Sequence, residues 1–300
     1  MRGEQIAACR ASWASTLDLT PTDLNGVDAV VVVKRTTPET LSMIKSYGIP
    51  LIYDPLDFWR QPKSRLRPRS RAQRMRSVAE VGPLFRAHFA RYDPDLVICV
   101  TRKMAAGIAS LGCRTEVIYH HADPRLPDMT EYQRQRADTG RDKTLLYFGN
   151  QAFLREWSGR IDAAARSLGA RFVTLDSGKG SYHDPPVADA MIAVRGGRDG
   201  CWISRAWKSN VKAATAAALG LPLVAWREAA YEETAPEAHW FDDETSLKAA
   251  IAAALSPDAR TVAQRFPVEA AADRFEAVIA DLLDNRPVPP GDLASARNLV

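Results

Sequence analysis

Short apolar runs alternate with amphipathic stretches along the chain. "DAVVVVK" (28–34) is a continuous β-branched run, the pattern expected of a strand buried on both faces. "TPETLSMIKSYG" (37–48) follows with helical spacing; Thr37 is placed to cap it, Pro38 to open it and Gly48 to stop it. "IPLIYD" (49–54) predicts a second buried strand, and "DLVICVT" (95–101), "RKMAAGIASLG" (102–112) and "TEVIYH" (115–120) repeat the cycle of strand, helix and strand. Such units with short connections predict right-handed crossovers and a parallel sheet.

Residues 124–143 are polar throughout, which predicts a boundary, with residues 126–141 as linker. The alternation restarts at "TLLYFGN" (144–150) and continues through a helix near 155–168, "GARFVTL" (169–175) and "ADAMIAV" (188–194). An alanine-rich helix then leads into "PLVAW" (222–226), "AHWF" (238–241), a helix from about 244 to 255, and the last helix, "EAAADRFEAVIADLLDN" (269–285). The pattern predicts an α/β chain of two Rossmann-like units: residues 1–125 and 142–285, with a loose Pro-rich tail at 286–300. "MRGEQIAACRAS" looks like the helix that follows a first strand, so either the first unit is reduced or the recorded start is internal.

Composition narrows the chemistry. A formal net charge of +4 is too weak to argue for nucleic acid. The four cysteines have no CxxC spacing, which argues against a zinc site or disulfide framework and fits a cytoplasmic protein. No apolar run is long enough to span a membrane. "RQPKSRLRPRSRAQRMR" (60–76) carries eight basic residues and no acid. It reads either as a solvated insertion or as a surface for an anionic membrane or a phosphate-bearing acceptor, through Arg65, Arg67, Arg69 and Arg71. No aromatic residue interleaves the basic ones, as stacking on nucleic acid bases would require.

The candidate ligand site is "KSNVKAATAAALGLPLVAWREAAYEE", from Lys208. A helix N-terminus offers unpaired N–H groups to phosphate. Lys208 and Lys212 add charged donors and Asn210 a neutral one, Gly220 ends the helix, and Glu232 and Glu233 follow the strand at the edge where open α/β sheets bind ligands. Carboxylates there can accept hydrogen bonds from ribose or sugar hydroxyls. An ordinary capped core helix with surface lysines is the plainer alternative. Arg195, Arg198 and Arg205 flank a glycine-rich loop suited to an anion, and Gly149 and Asn150 follow a strand end. Asp54 and Asp57 leave a strand of the first unit, and His120 with His121 ends that unit; Asp54, Asp57 and His120 are the candidate bases toward an acceptor hydroxyl. His183 reads as loop chemistry, and Trp202, Trp207 and Trp226 as core or cleft walls.

"KSNVKAATAAALGLPLVA" resembles the nucleotide-sugar site of GT-B glycosyltransferases, where a K-P-x-N-[KR] stretch starts a helix ending in A-x-G-x-P-V-[VI]. "DAMIAVR", "LLYFGN", "HWFDDETSLKAAI" and "VVVVKRTTPETLSMIKSYGIPLIYDPLDFW" fall in register with other parts of that pattern. The resemblance implies two Rossmann-like domains facing across a cleft, with the donor on the second and the acceptor on the first. It also implies metal-independent sugar transfer of the surface-glycan type, to a glycan or lipid-linked acceptor, with no cofactor beyond the nucleotide-sugar substrate. The basic segment at 60–76, read as a membrane surface, would set such an enzyme at the inner membrane surface. One departure is clear: many retaining members carry two glutamates eight positions apart, and here Thr215 stands at the second. A nucleotide-sugar epimerase of related fold and a non-catalytic nucleotide-sugar-binding protein are the alternatives.

Overall fold

The computed structural model describes residues 2–56, 78–136, 141–154, 156–176, 184–195 and 205–285. Two parallel sheets organise them. The first holds β1 (Val30–Val33), β2 (Leu51–Asp54), β3 (Leu96–Cys99) and β4 (Thr115–Val117) in the order β1-β2-β3-β4. The second holds β5 (Lys143–Phe148), β6 (Ala170–Leu175), β7 (Ala190–Ala193), β8 (Leu223–Trp226) and β9 (His239–Phe241) in the order β6-β5-β7-β8-β9. The second order reverses between β5 and β7, and such a switch point opens a crevice at the carboxyl ends of those strands.

The helices are α1 (Arg2–Ala7), α2 (Pro38–Ser46), α3 (Val78–Tyr92), α4 (Arg102–Ala109), α5 (Met129–Arg136), α6 (Ser158–Ser167), α7 (Val211–Leu219), α8 (Ala229–Thr234), α9 (Glu244–Ala254) and α10 (Val268–Asp284). Their ends follow local chemistry. The Thr37 hydroxyl accepts from the Thr40 amide at 3.1 Å, with Pro38 opening α2. Gly220 closes α7 in the left-handed region (φ 63°), and Leu221 N–H returns to Ala216 O at 2.9 Å. Alanine lets α7 be buried on nearly every side, since its small side chains allow close approach.

Three expectations change. The "VVVV" run is an edge strand of the first sheet, so only Val32 is buried and its neighbours are half-buried. The polar segment at 126–141 holds α5, which packs on the second unit: the Tyr132 hydroxyl donates to Pro186 O at 2.9 Å and Gln133 Nε2 to Leu219 O and Gly220 O at 2.8 Å. Finally, α10 does not close the second unit. It crosses back, and Val268, Ala271, Ala272, Phe275, Val278 and Leu282 pack with Ile6, Ile52, Leu96, Ile98 and Ile118 on the first sheet. Exposed ion pairs of Arg10 with Glu276 and of Arg274 with Glu116 flank that stripe.

Candidate functional site

The switch point of the second sheet gathers charge. After β5 the chain turns at Gly149 (φ 148°), where a Cβ would meet Lys212 Cε at 3.2 Å. Glycine there leaves room for the lysine stem. Lys212 is buried; its ammonium donates to Val194 O at 3.2 Å and lies 3.9 Å from the centre of the Tyr147 ring. Burial and the charge of Arg195 hold its pKa well below the usual lysine value, against the pull of Glu228. Arg195 follows β7, donates to Ser209 O at 2.6 Å, and lies 5.5 Å from the Tyr231 ring centre. Lys208 is buried beside it, and Arg205, whose residue is exposed, lies over Trp226.

Into this cluster turns an acid that sequence reasoning misses. Glu228, two residues past β8, is 2% exposed, and its Oε2 lies 3.6 Å from Arg195 Nε. Neither carboxyl oxygen accepts a hydrogen bond. Burial raises its pKa, while Arg195, Lys212, Lys208 and Arg205 pull it down. The available signal is position: Glu228 is the first acid after the strand.

The other predicted ligand groups are engaged elsewhere. Asn210 is fully buried; its Oδ1 accepts from His120 N at 2.7 Å and its Nδ2 donates to His120 O at 3.2 Å, so it ties the two units instead of facing an anion. Glu233 accepts from the Arg102 and Lys103 amides at 2.8 and 3.2 Å and from the Tyr119 hydroxyl at 3.1 Å. It caps α4 of the first unit, where the helix has unpaired N–H groups, in place of holding sugar hydroxyls. Glu232 is exposed and pairs with Arg227 at 3.5 Å. Asn150 is exposed, and its carbonyl accepts from the Tyr147 hydroxyl at 3.1 Å.

On the first unit, Asp54 is fully buried, with Oδ2 3.2 Å from Arg2 Nε and Oδ1 accepting from Leu56 N at 3.0 Å. A carboxylate locked in a buried ion pair is a poor proton acceptor, which corrects its assignment as a base. His120 is half-buried at the junction, and its Nδ1 lies 2.8 Å from the His121 carbonyl. Nδ1 must donate there, so the neutral ring carries its lone pair on Nε2. His121 is buried with Nε2 3.0 Å from Gln5 Oε1. Burial, aided by Arg2 and opposed by Asp123, lowers its pKa to about 4.

Trp207 belongs to the first unit's core although it precedes α7: its ring lies 5.0 Å from Phe85. Trp226 packs edge-on against Trp157 and Phe241 within the second. Asp57, Arg65, Arg67, Arg69, Arg71, His183, Arg198 and Trp202 lie outside the described residues. A cleft of about 500 Å³ at the carboxyl end of β1 is lined in part by Arg35, Thr36, Thr37 and Thr40. Among the described residues, no helix is long and apolar enough to cross a membrane, and no group of three or more His, Cys, Asp or Glu could hold a metal ion.

No protein-family model and no curated protein sequence matches the chain. Solved structures do. A sucrose-phosphate synthase from Thermosynechococcus elongatus matches with TM-score 0.56 and 14% identity, over 88% of this chain and 75% of that one. HepE of Anabaena, in complex with UDP and glucose, matches with TM-score 0.50 and 14% identity, over 83% and 77%. An α,α-trehalose-phosphate synthase (UDP-forming) from Burkholderia xenovorans, in complex with glucose-6-phosphate, matches with TM-score 0.53 and 11% identity, over 86% and 75%. These are GT-B glycosyltransferases, and the chain has their fold: two facing units of mixed α/β structure built on parallel sheets.

Proposed function

We propose that the protein is a glycosyltransferase that moves a sugar from a nucleotide-sugar donor to a hydroxyl of a sugar, glycan or lipid-linked acceptor. The observation that carries this reading is the buried cluster of Arg195, Lys208 and Lys212 at the switch point of the second sheet. A diphosphate suits a group of cations gathered at such a switch point, where open α/β sheets bind ligands, and the Gly149 turn allows close backbone approach. The same cations would neutralise the diphosphate as it leaves, which lowers the barrier to breaking the bond to the sugar. The fold supports the reading, as do the UDP and glucose bound by HepE and the glucose-6-phosphate bound by the Burkholderia enzyme.

On the acceptor side, His120 is the candidate base. Its Nε2 lone pair suits proton removal from a hydroxyl at neutral pH, and Asn210 fixes its backbone from the donor unit. One observation favours a second reading, a nucleotide-sugar-binding protein without turnover: Asp54 is consumed by Arg2. A thermal-shift screen with the uridine, guanosine, adenosine, cytidine and thymidine diphosphates tests the site, because a ligand at 100 times its Kd stabilises the folded state by about 2.7 kcal/mol. At least one diphosphate should raise Tm while its nucleoside does not. A uniform lack of response would remove the diphosphate assignment. Hydrolysis or transfer of the matching nucleotide-sugar then separates enzyme from binding protein.

A further inference from the structure

Glu228 makes little sense as a stabilising ion pair. A charged carboxylate in a strong pair sits about 2.7–2.9 Å from its donor, in hydrogen-bonded geometry. Glu228 stands 3.6 Å from Arg195 and receives no hydrogen bond at either oxygen, although it is almost wholly buried. Such a group carries its desolvation cost without the usual return. Its surroundings are basic from each side: Arg195 beyond β7, Lys212 on α7, Lys208 and Arg205 ahead of α7, with the Tyr231 phenol on α8.

What Glu228 contributes is one negative charge. When ionised, Glu228 sets one negative charge among the buried Arg195, Lys208 and Lys212, and that charge opposes the negative charges of a bound diphosphate; Arg205, on an exposed residue, is screened by water and counted apart. A diphosphate esterified at both ends, as in an intact nucleotide-sugar, carries two negative charges. A free nucleoside diphosphate carries a third above the second ionisation of its terminal phosphate, near pH 6.

Resting on the diphosphate site proposed above, we propose that Glu228 is the charge-discriminating residue of that site, selecting the doubly charged diester of an intact donor over the triply charged diphosphate left when the sugar has gone. The third charge can be held beside Glu228 only if the carboxyl takes up a proton, which also turns it into a hydrogen-bond donor toward a phosphate oxygen. Burial, by raising the Glu228 pKa, favours that protonation. Lys212 also gains a proton more readily beside an anion, and more so beside three charges than two, so only the part of the proton excess that Glu228→Gln abolishes belongs to Glu228. The consequence is a site that releases its spent product more readily than it releases its donor.

Calorimetry at pH 8 on the wild type and Glu228→Gln tests this, with UDP and UDP-glucose, and with the ADP and GDP pairs in parallel. Glu228→Gln should tighten the free diphosphate about tenfold and the matching nucleotide-sugar about threefold or less, since the repulsion removed scales with ligand charge. In two buffers of different ionisation heat, the wild type should take up about one more proton with the free diphosphate than with its sugar ester, and the variant should lose that excess. Equal changes for both ligands, or an unaltered proton excess, would overturn the proposal. Weakened nucleotide-sugar binding would also overturn it, by making Glu228 a hydroxyl acceptor instead. If Glu228→Gln does not fold, Lys212→Arg, whose charge does not titrate, decides: a proton excess that persists there supports Glu228, and one that vanishes overturns the proposal. If no pair binds the wild type, the diphosphate site itself is lost, a failure distinct from binding without discrimination.

Discussion

The side-chain amide of Asn210 closes on the backbone of His120 from both ends, 2.7 Å from its nitrogen and 3.2 Å from its oxygen. One side chain of the second unit thereby satisfies both polar main-chain groups of a residue 90 positions earlier. Asn210→Ala leaves buried groups without partners, each costing about 1–3 kcal/mol, so the loss should be about 2–4 kcal/mol in denaturant unfolding. Asn210→Asp keeps the acceptor and forfeits the donor, and should fall between. A loss below about 0.5 kcal/mol for the alanine variant would mean that the junction is not held by this contact.

The two lysines test the phosphate assignment. Hydrogen bonds to charged groups contribute about 1.5–3 kcal/mol, so Lys208→Ala or Lys212→Ala should weaken diphosphate binding about 10- to 100-fold in calorimetry. Nucleoside binding should barely change. If both variants bind the diphosphate as the wild type does, the buried cluster has another purpose.

Trp207 and Gly107 mark another tie between the units. A Cβ on residue 107 would lie 2.6 Å from Trp207 Cζ2, and the indole is fully buried and cannot swing away. Gly107→Ala should cost about 1–3 kcal/mol, read as a lower Tm. Trp207→Phe, which removes the clashing ring, should recover part of that loss in the double variant. Strictly additive effects would show that the two positions do not meet.

His121 gives a pH dependence. Its folded-state pKa is about 4, below the ordinary value of 6.5. The unfolded chain therefore binds the proton first as pH falls, and stability drops from pH 6.5 down to about 4, by up to about 3 kcal/mol. Asp123, held low at about 2, loses its contribution below that window. Urea titrations at pH 7, 5.5 and 4.5 should show the slope in the wild type and a smaller one in His121→Gln. Parallel slopes would assign it to other groups.

The elements were legible because buried strands and capped helices are written in local pattern: β2, β3 and β7 are buried at all four positions, and Thr37, Pro38 and Gly48 bound α2 as their chemistry requires. Addresses were less legible. The stripe of α10 announces a helix with one apolar face but does not say which sheet it covers. The same limit applies at the site. Three acids follow β8 within seven residues, Glu228, Glu232 and Glu233, and nothing local reveals that the first turns inward while the last reaches the amides of Arg102 and Lys103. Asn210 is a plausible phosphate donor by spacing; its partner is set by how the two units meet.

The return of α10 also orders the protein's birth. During synthesis the strands of the first sheet emerge early, yet the apolar face formed by Ile52, Leu96 and Ile98 has only the short α1 segment around Ile6 for cover until Val268–Asp284 leave the ribosome. The second unit, with its own cores on both faces of its sheet, is complete in sequence before that. The nascent chain is therefore expected to fold its second unit first, with the strands of the first sheet waiting on α10. Chains arrested with residues up to 262 outside the ribosome and α10 still inside it should yield a protease-resistant fragment from the second unit and none from the first. Early protection of residues 30–117 would show instead that the first sheet closes without its last helix.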